Sequence, residues 1–380
     1  MTTQAKILLV GNYALDGQQS MKRYAEFLKR ELAARGHRVE LLEPSVTLGR
    51  LASPKNPLSK WLGLADKFLL FPRTLRKRAR EFDLVHICDH SNAPYLKYVS
   101  ATPNVITCHD VMGIRSALQH YPENPTVPSA RLLRRMQWIV DGLKSAKCVI
   151  CISRKTEEEL LTLLERRPPL QRVIHHSLNW NYQKMSVEEA APILHKLGLA
   201  PKARYLLHVG GNQWYKNRLG VLRIFKELRK VPSFQGVTLV MAGKSWTPEM
   251  RAFVSQEALQ GVIELVSPSN EQVQALYSGA QALLFPSFHE GFGWPILEAQ
   301  ACGCPVITSN RDPMREIAGA GAVLIDPADP VSAATEIALR LRNQDQLVKD
   351  GFVNISRFSK DAMINSYLET YEEVLQGAKA

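Results

Sequence analysis

Glu290 and Glu298 stand eight residues apart in FHEGFGWPILEAQACGCPV, residues 288–306, directly after the apolar run ALLFPS. A short apolar run of this kind reads as a buried strand, so FHEGFGW is the loop at its carboxyl end. Pro295 suits the start of a helix, where a missing N–H costs nothing, and that start places Glu298 in the helix's first turn. Gly291 and Gly293 permit backbone conformations closed to other residues and let the main chain approach a ligand closely. The N–H groups of such a turn, with the helix dipole, favour an anion. The two carboxylates are hydrogen-bond acceptors suited to hydroxyl groups. Together these residues suit something polyhydroxylated joined to something anionic, as in a nucleotide sugar. Plainer accounts also fit: Glu298 complementing a helix N-terminus, and Glu290 as an exposed loop residue. Paired carboxylates serve glycoside hydrolysis too, but that chemistry depends on their separation in space, which sequence spacing does not give.

The elements that must position these residues repeat along the chain. In the first half, AKILLVGN, HRVELLEP, DLVHICD, NVITCHD, KCVICIS and RVIHHS read as buried strands. They alternate with helices such as GQQSMKRYAEFLKRELAARG, where Met21, Tyr24, Ala25, Leu28 and Leu32 share one face and Gly36 is a stop. In TEEELLTLLERR, Thr156 precedes Glu159 at capping-box spacing. The alternation restarts after residue 200 with ARYLLHVGG, VTLVMAG, VIELVS, ALLFPS, PVITS and AVLIDP. Strands alternating with helices predict parallel sheets covered on both faces. The expected organisation is an N-terminal domain over 1–180, a C-terminal domain over 181–360 and a last helix over 361–380 that crosses back to the first. Residues 178–200 read as the hinge and linker. Two such sheets present the carboxyl ends of their strands to a shared cleft, where ligands of this architecture bind. Gly11 and Gly17 have no glycine between them, and no G-x-G-x-x-G turn occurs, which counts against a dinucleotide-binding oxidoreductase.

The 380 residues are natural for two domains. No apolar run approaches the roughly 20 residues of a membrane-spanning helix, and the opening MTTQAKILLVGN lacks the apolar region and cleavage site of a signal peptide. The reading is a cytoplasmic protein. The six cysteines read as buried thiols, because neither Cys148 and Cys151 nor Cys302 and Cys304 has a partner pair at zinc-site spacing. The net charge of +12 is uneven: residues 1–190 hold 29 Lys and Arg against 18 Asp and Glu, and residues 191–380 hold 19 against 18. The excess is densest in KWLGLADKFLLFPRTLRKRAR, residues 60–80, where basic residues flank Trp61, Leu62, Phe68, Leu69, Leu70 and Phe71. Such a stretch suits the anionic inner face of a membrane or a phosphorylated acceptor; nucleic acid is not expected as a partner. A core-facing helix with a solvated basic face is the plainer account.

FPSFHEGFGWPILEAQACGCPVITS resembles the E-x7-E signature of retaining glycosyltransferases of the GT-B fold, above all glycosyltransferase family four. The resemblance extends through VQALYSGAQALLFPS, REIAGAGAVLIDPAD, LLHVGGNQWYKN, VMAGK and RFSKDAMINSYLETYEEVL, covering residues 200–375. It is looser in RGHRVELLEP, DLVHICDH and VITCHD. The fold class it implies is α/β, GT-B, with two Rossmann-like doubly wound domains facing a central cleft. The implied donor is a nucleotide sugar, UDP- or GDP-linked, and the acceptor a glycan or lipid-linked molecule.

By this resemblance Glu290 contacts the donor sugar, and Gly291, Phe292 and Gly293 offer main-chain N–H groups to sugar and phosphates. Glu298 holds the ribose hydroxyls. Lys216 stabilises the diphosphate, and His109 of TCHD lies near the sugar. Gly17, with Gly210 and Gly211 of the second glycine turn, completes the donor-binding set. No cofactor or bound metal is implied, and no D-x-D triplet occurs. Two departures stand out. Many relatives carry an arginine five residues before the lysine, where this chain has Gly211; Arg218 or Lys244 is the candidate to supply that charge. The loop GNYALDGQQSM also lacks the paired glycines common there, which leaves acceptor handling near Gly17 and Gln18 open. An epimerase or isomerase of nucleotide sugars, or a nucleotide-binding protein without turnover, is the alternative function. No pyridoxal-phosphate site is recognisable, so a phosphorylase is not expected.

Overall fold

The computed structural model describes residues 4–51, 56–200 and 203–378. The chain forms two compact units. The first comprises residues 1–120, 127–179 and 360–380, and the second residues 121–126 and 180–359.

The first unit holds six parallel strands: β1 (Lys6–Val10), β2 (Arg38–Leu42), β3 (Leu84–Ile87), β4 (Asn104–Cys108), β5 (Cys148–Cys151) and β6 (Leu170–Val173). Their order is β2-β1-β3-β4-β5-β6. Every residue of β3, β4 and β5 is buried, as a sheet with both faces covered requires. RVIHHS proves to be mostly loop, because β6 ends at Val173 and His175 and His176 follow it. The helix Arg154–Leu164 is capped by Ser153, whose side chain accepts from the Thr156 N–H, so the expected Thr156 cap is displaced by one turn. Ser153 has the extended backbone that a cap needs, while Thr156 is already helical.

The last helix, Lys360–Gly377, packs on this unit through Met363, Ile364, Tyr367 and Tyr371, beside Leu28, Leu32 and Val105. Its tyrosines join a buried polar network. The Tyr371 hydroxyl lies 2.6 Å from His86 Nδ1, and the Tyr367 hydroxyl lies 2.7 Å from that of Tyr24. Thr107 Oγ1 links the two pairs through His86 Nε2 and the Tyr24 hydroxyl. Buried polar groups need such partners, which fixes how the helix sits.

The second unit holds β7 (Tyr205–Gly210), β8 (Thr238–Gly243), β9 (Val262–Val266), β10 (Ala282–Phe285), β11 (Val306–Ser309) and β12 (Ala322–Ile325), in the order β12-β11-β10-β7-β8-β9, all parallel. Leu222, Phe225, Met250, Ala333 and Ile337 from three helices pack with Leu239, Met241 and Leu284 into one core. The stretch 178–200, expected to be a linker, instead contains the helix Val187–Lys196. It opens with a complete capping box between Ser186 and Glu189 and packs against the helix Asn270–Gly279. All six cysteines are buried and form no disulfide.

Candidate functional site

In the second unit strand order reverses between β7 and β10. Connections leave two such neighbouring strands in opposite directions, and a crevice opens at their carboxyl ends. The loop after β7 carries Lys216, and the loop after β10 carries Glu290. Lys216 Nζ lies 2.7 and 2.8 Å from the two carboxylate oxygens of Glu290. The Glu290 side chain is 6% exposed and that of Lys216 18%, so the pair is largely desolvated. The lysine also lies over the ring of Phe285, 5.4 Å from its centre.

Two backbone ties hold these loops in register. The Phe288 N–H donates to the Tyr215 carbonyl at 2.8 Å. Asn217 Nδ2 donates to the carbonyls of Pro286 and Pro327, each at 3.0 Å. Asn217 adopts the left-handed conformation, φ 50°, between the turn Trp214–Lys216 and the helix Arg218–Leu228. Asparagine tolerates that region better than most residues. The reading of WYKN singled out the lysine and passed over this asparagine; its side-chain bonds span 69 and 110 residues of sequence. Gly210 and Gly243 end adjacent strands so closely that a Cβ on Gly243 would fall 2.0 Å from the Gly210 carbonyl oxygen. Gly211 follows in the loop.

The glycine turn after β10 is buried. Phe292 packs edge-on to Trp294 and Phe358, and Gly293, at φ 102°, caps the helix Trp294–Ala301. That helix starts at Trp294, so Glu298 lies in its second turn and not the first. Helix-end complementarity, which fades within the first turn, therefore does not account for it. The Tyr277 hydroxyl donates to Glu298 Oε2 at 3.0 Å. Burial pushes Glu298 up to about 7, partly offset by that hydrogen bond and by the charge of Lys216. Tyr277, 21 residues upstream in another helix, had no sequence signal tying it to the site.

In the first unit the order reverses between β1 and β3. Gly17, at φ 67°, ends the turn Ala14–Asp16 after β1 and is open to solvent. Gln18 bonds Asn12, which also bonds the buried Asp89 after β3. His109 follows β4 and is buried. Its Nε2–H donates to the Cys88 carbonyl at 2.8 Å, and Nδ1 lies 3.2 Å from His176 Nε2. The Tyr24 ring meets it edge-on. Burial holds His109 below the usual histidine range, against the opposing pull of Asp89. Both of its ring nitrogens are therefore engaged, one by a backbone carbonyl and one by a second buried imidazole. Among the described residues no cluster of His, Cys, Asp and Glu could hold a metal ion.

Two parallel α/β sheets, each with loops gathered at a reversal of strand order, define the architecture of GT-B glycosyltransferases. Solved structures agree. The chain superposes on sucrose-phosphate synthase from Thermosynechococcus elongatus with a TM-score of 0.74 at 20% identity, covering 98% of this chain and all of the other. It superposes on Anabaena HepE, in complex with UDP and glucose, with a TM-score of 0.71 at 17% identity, covering 97% and 100%. The family described as Glycosyl transferases group 1 matches residues 191–350, and Glycosyltransferase Family 4 matches residues 21–179. O-antigen chain mannosyltransferase B of Escherichia coli is 26% identical over 276 residues, 70% of either chain. The protein belongs to the family-four glycosyltransferases of the GT-B fold.

Two measurements probe this local architecture. Asn217→Ala leaves two carbonyls without their donor and puts alanine in a left-handed conformation. It should lower stability to urea by about 2 kcal/mol; an unchanged midpoint would refute the tie. Glu298 in the folded state keeps its proton above the pH, near its ordinary 4.5, at which the unfolded chain releases it. Stability conferred around this group therefore falls as pH rises from about 4.5 to about 7. Melting curves of Glu298→Gln and wild type should diverge over that range, with the variant gaining relative to wild type at higher pH. Parallel curves would show that Glu298 is not held protonated.

Proposed function

We propose that the protein transfers a sugar from a nucleotide-sugar donor, UDP- or GDP-linked, to a glycan or lipid-linked acceptor with retention at the anomeric carbon. The observation that carries this reading is the Lys216–Glu290 pair at the strand-order reversal, beside a buried glycine turn and the desolvated Glu298. A cation suits the diphosphate, and fixed acceptors suit sugar and ribose hydroxyls. The HepE structure contains UDP and glucose, and the Escherichia coli relative is a mannosyltransferase; both accord with a hexose on a nucleoside diphosphate.

In this mechanism the glycosidic bond to the nucleoside diphosphate breaks with its electron pair going to the phosphate oxygen. Lys216 and the N–H groups of Gly291, Phe292 and Gly293 stabilise the charge that develops there, an oxyanion-type effect. Glu290 positions the sugar through its hydroxyls, and Glu298 accepts from the ribose. The acceptor oxygen bonds to the anomeric carbon on the face the phosphate leaves, and its proton passes to that phosphate. His109, held by two hydrogen bonds, shapes the sugar end. Gly17, Gly210 and Gly211 let the main chain come close to the donor. No step calls on a metal ion.

The acceptor reading draws on the first unit's charge. Helices Pro57–Ala65 and Phe71–Ala79 bury Phe71 and Leu75, while Trp61 is 58% and Leu69 58% exposed. Lys67 is buried against Asp16 at 2.5 Å, and Arg78 pairs with Glu40 and Glu81. The exposed basic face without a recorded carboxylate partner is therefore Arg73, Arg76, Lys77 and Arg80. Arg76 and Arg80 line a shallow pocket with Lys97 and Tyr98. Exposed apolar side chains on the same helices as basic ones suit an anionic membrane surface, which would place the enzyme in the cytoplasm on the inner face. No described helix is long and apolar enough to cross a membrane.

Incubation with UDP- and GDP-hexoses and a polyprenyl-diphosphate glycan, followed by NMR of the new linkage, tests the reaction. The donor's anomeric configuration should be kept; an inverted product, or interconversion of the donor without an acceptor, would replace this reading. Lys216→Ala should slow nucleoside diphosphate release by roughly 100-fold or more. Reversing charge at Arg76, Lys77 and Arg80 should abolish co-sedimentation with phosphatidylglycerol vesicles. Reversal at Arg78 alone should have little effect, and unchanged sedimentation of the triple variant would rule out this surface.

A further inference from the structure

Arg218 is the first residue of the helix Arg218–Leu228 and is 4% exposed. Its five N–H groups are unequally used. Nη1 donates to the Lys244 carbonyl at 2.7 Å and to Asn212 Oδ1. Nε and Nη2 are buried and have no hydrogen-bond partner. No carboxylate bonds this guanidinium. Glu264 acts on it only through space and is itself bonded by Arg251 and the Trp246 N–H. A buried cation with neither counter-charge nor filled donors is costly, and proteins seldom keep one without use.

The empty groups form one edge. Nε–H and one Nη2–H point the same way in a guanidinium plane, at the spacing of two oxygens on one phosphoryl or carboxylate group. The used groups locate that head. Asn212 follows β7 and Lys244 follows β8, so the guanidinium lies at the carboxyl edge of the sheet, the edge that carries Lys216. The N-terminus of an 11-residue helix adds its positive end there. His208 is a buried neighbour. His208 Nδ1–H donates to the Leu284 carbonyl, its Nε2 is buried without a partner, and its pKa falls to about 3 through burial first and then the charges of Arg218 and Lys216.

We infer that the Nε–Nη2 edge of Arg218 is a bidentate site for the phosphoryl oxygens of a nucleoside diphosphate, a second cationic contact beside Lys216. The inference rests on the nucleotide-sugar reading for the identity of the anion, but not for its existence. It assigns the charge missing at Gly211 to Arg218 and not to Lys244, whose role here is to accept from Arg218 through its carbonyl. Asn212, in the loop after β7, accepts from Nη1 and is itself held by its Nδ2 on the Ser245 carbonyl at 2.7 Å. Asn212 therefore holds Nη1 and leaves the Nε–Nη2 edge unfilled.

Calorimetric titration of wild type, Arg218→Lys and Arg218→Gln with inorganic pyrophosphate, UDP, GDP, uridine and guanosine tests it. Arg218→Lys keeps the charge but loses the fork. It should weaken pyrophosphate and nucleoside diphosphate binding about tenfold or more while leaving nucleoside binding unchanged. Equal diphosphate affinity in wild type and Arg218→Lys would overturn the inference and leave the nucleotide-sugar reading standing. Pyrophosphate binding that depends on Arg218, with no binding of either nucleotide, would keep the anion site and overturn that reading. If both variants unfold, an NMR titration of 15N-arginine-labelled wild type with pyrophosphate decides. A slowed, shifted buried Nε–H signal supports the site, and an unchanged spectrum refutes it.

Discussion

Everything in the second unit follows from one topological constraint. β7 and β10 are parallel neighbours whose connections run to opposite sides of the sheet. The helices Arg218–Leu228, Pro248–Gln256 and Pro330–Arg340 pack together in one core. The helices Asn270–Gly279, Trp294–Ala301 and Gln344–Ile355 pack in another group. The two loops that leave β7 and β10 therefore diverge. Lys216 and Glu290 come from those two loops. Their ion pair, the Phe288–Tyr215 backbone bond and the Asn217 side chain bridge the gap between them.

Buried charge around that gap is handled in three ways. Lys216 and Glu290 neutralise each other at hydrogen-bond distance, with two bonds to the ammonium. Glu298 has no cation in contact; burial raises its affinity for a proton, and the Tyr277 hydroxyl satisfies one oxygen. Arg218 cannot lose its proton in this way, since guanidinium stays charged in proteins, and so retains an unfilled edge. These three solutions in one unit of nearly balanced formal charge give the crevice local polarity that the unit as a whole lacks. The first unit differs: its own strand-order reversal is lined by Asn12, Asp89 and His109 with His176.

The final helix shows how a distant segment becomes part of a domain. Residues 360–377 follow the second unit in sequence yet bury Tyr367 and Tyr371 against Tyr24 and His86. An aromatic hydroxyl is acceptable in a core only where it finds a partner. The matching of these hydroxyls to His86 and Thr107 supplies a reason for this docking beyond apolar area.

The sequence by itself determined the alternating strands and helices, the two parallel sheets and the glutamate–glycine–glutamate turn, because short-range periodicity and loop residues encode those locally. It also named Lys216 and Glu290, 74 residues apart, through a family pattern. It misplaced what depends on where a backbone leaves one conformation for another: the cap at Ser153, the end of β6 before His176, the helix within 178–200 and the turn that holds Glu298. Tertiary structure alone decided which atoms meet. It joined Lys216 to Glu290, brought Tyr277 to Glu298, stretched Asn217 across two loops, engaged both nitrogens of His109 and left one edge of Arg218 empty. Those outcomes depend on long-range register at the strand-order reversals, and no local run of residues specifies which distant carbonyl or hydroxyl will face a given side chain.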